Sequence, residues 1–398
     1  MTIMILVTIS IGTISSHVKT FIKGLRKLSR INHIHIHFTP KYVISIYSKY
    51  PYIVLKNTRN VLEIGRESLR GFIEKPFRYL FDNMVAFLLD EILSYNNVEL
   101  IHTFWLYTAY AAAYITKRRS IPSIATVLGG DIQRINIYEN KTHNMYPKSN
   151  LLFILRNIST LIAPEDSFLR ILKSIKIKYS LNYELERIPM WYDSFLFKKD
   201  KVPQFPIRML NKVFNLKIPD NSIIICFGPR PLMFYGFHDA IYVFNKLAKQ
   251  YDNLFLLVIG NRTPIAERLL SLTNPLVRKK IILLGSIPKN LMPMVYSSCY
   301  VFLNLCYMGQ GVSSLEAMAL GVPVIGYKSF QRKILNEETG YLCELGDRHC
   351  IYEKLKLLLT NEGLHNMLSR NAADYAIRNY SLEVIIPQYI NLYMKMIK

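Results

Sequence analysis

The segment Met308-Gly-Gln-Gly-Val-Ser-Ser-Leu-Glu-Ala-Met-Ala-Leu-Gly-Val-Pro-Val-Ile325 gathers residue types suited to a phosphorylated ligand. An apolar strand ends before it, and Gly309 and Gly311 let the backbone approach a ligand closely. A helix opens near Ser313 with its first amides unbonded within the helix, an arrangement that binds phosphate without a metal. Glu316, about one turn into that helix, is placed to accept hydrogen bonds from a pair of ribose or sugar hydroxyls. Taken alone, the same residues also read as a plain glycine turn followed by an exposed glutamate. Two further groups bear on metal chemistry. His33, His35 and His37 fall on one face of a strand, and Cys343, His349 and Cys350 lie close in sequence. Neither group has a full ligand set, so the histidines are expected to mark a strand edge and no metal is expected.

The elements that must position these residues alternate between strand and helix. In the first half, strands are expected over 3–10, 33–38, 100–104 and 123–128, with helices over 15–28 and 107–117. Helix 15–28 places Val18, Phe21, Ile22, Leu25 and Leu28 on one stripe, with Lys19, Lys23, Arg26 and Lys27 largely off it. A second series follows the polar stretch 198–206. It has strands over 222–227, 254–259, 281–284, 301–305 and 323–326, and helices over 238–250 and 313–320. This rhythm predicts an α/β protein of two Rossmann-like, doubly wound domains, with ligands at the carboxyl ends of the strands and a cleft between the domains. The expected boundaries are 1–195, 205–378 and a C-terminal helix over 380–398.

With 398 residues, 51% of them hydrophobic, the chain has enough apolar material for two cores. No apolar run is long enough to span a bilayer, and the opening residues lack the basic flank of a signal peptide, so a cytoplasmic protein is expected. Five scattered cysteines fit reduced thiols better than a disulfide framework. The net charge of +22 favours phosphate-bearing partners in general. A nucleic-acid-binding role rests on that charge alone, since no nucleic-acid motif accompanies it.

The 308–325 segment resembles the donor-site signature of retaining family 4 glycosyltransferases of the GT-B fold. Gly309, Gly311, Glu316, Ala317, Met318, Ala319, Gly321, Pro323, Val324 and Ile325 match it, while Met308 stands where the family has its first glutamate. Upstream, Phe227-Gly-Pro-Arg-Pro-Leu-Met-Phe-Tyr-Gly236 is similar to the family's phosphate-binding loop. Arg230 matches the arginine, and Tyr235 replaces the lysine five residues later. Thr126-Val-Leu-Gly-Gly-Asp131 resembles a strand end that normally reads His-Gly-x-Asp, with Leu128 in place of the histidine. Residues 187–197 are similar to an interdomain segment in which Pro189, Asp193 and Phe197 are retained, and residues 283–288 resemble the loop that contacts the nucleotide base.

The resemblance implies a metal-independent, cofactor-free glycosyltransferase that retains anomeric configuration and uses a nucleotide-sugar donor; no Asp-x-Asp motif ends a strand. It assigns catalysis to Arg230 and Glu316. Donor binding falls to Met308, Gly309, Gln310, Gly311, Val312, Ser313 and Ile287, and Arg262 is a candidate second cation from outside the family pattern. The acceptor side would comprise Gly12, Gly129, Gly130 and Asp131, the last of which also reads as a helix cap. Met308 is expected to alter sugar preference more than diphosphate binding. The acceptor is expected to be lipid-linked or a glycan, met at an anionic membrane surface, with no nucleic acid involved. A catalytically inactive sugar-nucleotide-binding or scaffold protein on the same fold is the alternative.

Overall fold

The computed structural model describes residues 5–11, 16–29, 32–38, 45–47, 98–128, 148–202, 206–228, 230–307, 311–328 and 336–397, with scattered positions between 83 and 93. The chain divides into two compact units, Met1–Met190 with Ile385–Lys398, and Trp191–Val384.

The first unit contains β1 (Ile5–Ile11), α1 (Ser16–Leu28), β2 (Asn32–Phe38), β3 (Ser45–Tyr47), β4 (Leu100–Phe104), α2 (Ala109–Arg119), β5 (Ser123–Thr126), α3 (Lys148–Asn157), β6 (Thr160–Ala163), α4 (Asp166–Lys178) and β7 (Glu184–Arg187). Its strands lie in the order β3-β2-β1-β4-β5-β6-β7, parallel except for the β2–β3 pair. The stripe on α1 is realised except at its end: Val18, Phe21, Ile22 and Leu25 are buried, Leu28 in the last turn is exposed, and Lys19, Lys23, Arg26 and Lys27 are exposed. The three-histidine strand, expected at an edge, is β2, which pairs with β1 on one side and β3 on the other. Sequence alternation shows which face a residue takes but not where its strand sits in the sheet.

A C-terminal helix, Leu382–Ile397, supplies the last part of this core, with Ile385, Ile386, Tyr389 and Tyr393 buried. Its two tyrosines meet a buried polar group in β4. His102 Nδ1 is 2.6 Å from the Tyr393 hydroxyl, and His102 Nε2 is 2.8 Å from Thr126 Oγ1. Thr126 Oγ1 is in turn 3.2 Å from the Tyr389 hydroxyl. Burial pushes the His102 pKa down to about 3, so the ring is neutral and one nitrogen donates while the other accepts.

The second unit contains α5 (Pro206–Phe214), β8 (Ile223–Phe227), α6 (Phe237–Leu247), β9 (Leu254–Ile259), α7 (Pro264–Ser271), α8 (Pro275–Arg278), β10 (Ile281–Gly285), α9 (Met292–Ser297), β11 (Val301–Asn304), α10 (Val312–Ala319), β12 (Val324–Tyr327), β13 (Gly340–Cys343), α11 (Arg348–Thr360) and α12 (Glu362–Tyr380). The sheet is parallel throughout, in the order β10-β9-β8-β11-β12-β13. Alternate residues of its strands enter two separate cores, one on each face. Ile225, Phe227, Leu256, Val258 and Leu303 pack into the first, and Ile224, Cys226, Leu257, Ile259 and Phe302 into the second. Helices covering both faces explain why these strands read as unbroken apolar runs.

The expectation of unpaired thiols is overturned. Cys226 of β8 and Cys299, just past α9, form one disulfide, and Cys343 and Cys350 form another; Cys306 is buried and belongs to neither. The first pair is 73 residues apart in sequence but 5.6 Å apart between Cα atoms, a proximity created by the second core. Spacing along the chain carries no trace of it. The second bridge also removes Cys343 and Cys350 from any metal set.

Candidate active site

In the second unit the strand order reverses between β8 and β11, and open parallel sheets bind ligands at the carboxyl ends of the strands beside such a reversal. The loops leaving β8, β9, β10 and β11 are tied to one another there. After β8, Gly228 donates to the Leu303 carbonyl at 3.3 Å, and the Tyr307 amide donates to the Phe234 carbonyl at 3.2 Å. The Thr263 hydroxyl donates to the Pro231 carbonyl at 2.9 Å, joining the loop after β9. That loop reaches β10 through Gly260 N–H to Gly285 O at 2.9 Å and through Ser286 to Asn261.

Arg230 lies within the β8 loop with its side chain exposed, three residues beyond the end of the strand. Two glycines force the loop close to β11. A Cβ on Gly228 would stand 3.2 Å from the Phe302 ring. Gly236 has φ +71°, and a Cβ there would fall 2.5 Å from the Leu305 side chain and carbonyl oxygen. Tyr235, where the resembled family carries a lysine, is half-buried against the first core with its ring edge-on to Phe234, centroids 5.5 Å apart.

The helix start falls at Val312, with Gly311 as N-cap. The first intrahelical bond runs from Leu315 N–H to Gly311 O at 2.8 Å, so the amides of residues 312–314 precede it. Asn304, the last residue of β11, fixes this turn by donating to Ser314 Oγ at 2.9 Å and Ser313 Oγ at 3.3 Å. Glu316 differs from the exposed glutamate of the plain reading: it is buried, and Lys289 Nζ is 3.4 Å from its Oε1. Burial pushes the Glu316 pKa up to about 7; Lys289 pulls it down, and Asp193 adds to the rise.

Ile287 is half-buried against the second core, on the same loop as Lys289. Arg262, expected as a second cation, pairs with Glu267 at 3.5 Å on an exposed surface, so part of its charge is already met. Met308, Gly309 and Gln310, and the acceptor-side residues Gly12, Gly129, Gly130 and Asp131, lie outside the described residues. Leu128, which replaces the family's histidine, is buried.

Three further residues stand out that the sequence reading did not single out. Lys289 directly continues the base-loop segment, yet nothing in its spacing points to Glu316. Asp239 is almost fully buried in the first turn of α6 and gathers Arg348, the Tyr327 hydroxyl at 2.7 Å and the Tyr307 hydroxyl at 3.2 Å. It braces the loop after β11 against β12 and α11. In the first unit, Trp105 follows β4 with φ +76°, a conformation a bulky side chain rarely adopts, fixed by bonds to Thr126 and Thr108. It stands beside that unit's own order reversal, between β1 and β4.

Comparison with known proteins bears on the family and the fold. Residues 210–375 match the family described as Glycosyl transferases group 1. The chain is 23% identical over 326 residues to N-acetyl-alpha-D-glucosaminyl L-malate synthase of Bacillus anthracis, covering 80% of each protein. Among solved structures, it resembles sucrose-phosphate synthase from Thermosynechococcus elongatus with a TM-score of 0.71 at 16% identity, covering 99% of each chain. It also resembles Anabaena HepE in complex with UDP-glucose, with a TM-score of 0.70 at 13% identity, covering 98% of this chain and 100% of that one. Residues 210–375 thus carry the likeness to the group 1 glycosyl transferases, and the chain shares the GT-B fold of these solved structures.

Proposed function

We propose that the protein transfers a sugar from a nucleotide-sugar donor to an acceptor hydroxyl with retention of anomeric configuration and without a metal. The observation that carries this reading is the convergence, at one order reversal, of an exposed arginine, a helix start and a buried carboxylate. The similarity to a protein crystallised with UDP-glucose supports a uridine donor as the first to try.

In this reading Arg230 grips the donor diphosphate, the amides of residues 311–313 face it, and Glu316 accepts from ribose or sugar hydroxyls. The acceptor oxygen attacks the anomeric carbon on the face the diphosphate leaves. The anomeric C–O bond breaks with its electron pair going to the diphosphate, which takes the acceptor proton. Charge grows on the leaving group, and a preorganised donor aimed at such charge contributes about 3 kcal/mol. The acceptor is a lipid-linked molecule or glycan met at an anionic surface, a reading supported by the exposed cations of α1.

Arg230→Ala is expected to lower kcat/KM by about a hundredfold and to weaken UDP binding, and Glu316→Ala to weaken UDP binding, both with circular dichroism unchanged. Calorimetric titration with UDP and NMR of the product anomer check this. Unchanged UDP affinity in both variants would overturn the site. UDP binding without hydrolysis or transfer, across a donor and acceptor panel, would favour the inactive alternative.

A further inference from the structure

Lys289 opens the 3-10 turn Lys289–Leu291, just after the loop that leaves β10, while Glu316 lies midway along α10. The two elements are not neighbours in the sheet order: β9 and β8 separate β10 from β11. Their side chains nevertheless bridge that distance, with Nζ 3.4 Å from Oε1. The ammonium also lies over the Phe197 ring, 5.9 Å from its centroid. The remaining titratable groups acting on Glu316 all disfavour its ionised form or are disfavoured by it. Asp193, itself buried, raises its pKa by charge repulsion, and the Tyr296 hydroxyl of α9 is fully buried and driven upward partly by Glu316.

We propose that Lys289 is a positioning residue of the donor site, whose ammonium keeps the Glu316 carboxylate ionised and turned toward the loop after β10. This rests on the proposed role of Glu316 as acceptor of donor hydroxyl protons. A carboxylate accepts from both hydroxyls of a diol, whereas a carboxylic acid spends one oxygen as a donor. Lys289 therefore acts through Glu316, and its loss is felt where Glu316 titrates. Glu316 sits near pH 7 with Lys289 present; the cation lowers that value, so removing it moves the titration upward and leaves less carboxylate at neutral pH.

The experiment has two arms, using the full chain with Lys289→Met, Lys289→Gln and Lys289→Arg. The first needs no ligand: glutamate carboxyl carbons are labelled with 13C, the Glu316 signal is assigned by its absence in Glu316→Gln, and its titration is followed by NMR. Its midpoint is expected to rise in K289M and K289Q and to stay near the wild-type value in K289R. The second arm is calorimetric titration with UDP from pH 6 to 9. K289M is expected to bind about fivefold more weakly at pH 7, the loss for a one-unit rise, and to converge on wild type at pH 9. Superposable carboxyl titrations in wild type, K289M and K289Q would overturn the proposal. So would a loss of UDP affinity of equal size at every pH, which would mark a direct contact of Lys289 with the diphosphate. If wild type binds no UDP, the donor reading fails in the second arm while the first still decides the role of Lys289.

Discussion

Gly236 carries a requirement that only glycine meets, since both its backbone angle and its distance from Leu305 exclude a side chain. Gly236→Ala combines a left-handed alanine with a backbone clash, at a cost of about 2–4 kcal/mol. The thermal midpoint should fall by about 5 °C or more, measured by differential scanning calorimetry. An unchanged midpoint would mean that the loop holding Arg230 does not need its close contact with β11. At this scale the sequence revealed groups belonging to a contiguous pattern. Arg230 and Glu316 are legible because glycines, strand ends and helix starts surround them. Lys289, Asp239 and Trp105 are not, because their partners lie on other strands and helices that only the folded sheet brings near.

The strands and helices follow from period-two and helical patterns, and most of those expected from the sequence match the observed ones within one to three residues. Pairing is another matter: the placement of β2 inside its sheet and the Cys226–Cys299 bridge depend on which strands become neighbours, a property of the whole unit. The C-terminal helix shows the same limit. Its apolar residues announce a buried face, but its attachment to His102 does not appear in the pattern. Burial of His102 makes stability depend on pH. The neutral ring has a folded pKa of about 3 against 6.5 unfolded, so its contribution is complete above 6.5 and is lost as pH falls toward 3. The full loss is on the order of 5 kcal/mol. In His102→Gln that part of the pH dependence should disappear, so the wild-type advantage in urea midpoint at pH 7 narrows by pH 4. Parallel profiles for the two proteins would show that His102 charges without cost.

Over the whole molecule, the net charge of +22 favours anionic surfaces and partners. Lys19, Lys23, Arg26 and Lys27 line the exposed side of α1, and each cation near an anionic bilayer contributes about 1 kcal/mol. The protein should sediment with phosphatidylglycerol vesicles at low salt and much less with phosphatidylcholine vesicles, and replacing Lys19, Lys23 and Lys27 by Glu should reduce the difference. Equal sedimentation with both lipids would assign the charge to general solubility. No helix among the described residues is long and apolar enough to cross a membrane.

The return of residues 385–398 to the first unit also sets an order of events during synthesis. The second unit is contiguous from Trp191 to Val384 and can complete its sheet as soon as those residues have left the ribosome. The first unit, although made earlier, lacks Tyr389 and Tyr393 until the second unit has been made, and His102 and Thr126 do not have these tyrosine hydroxyls to meet in the meantime. The half translated first therefore waits for residues made after the second unit, and a chain cut after Val384 would keep every residue of the second unit while leaving His102 and Thr126 without these tyrosine hydroxyls.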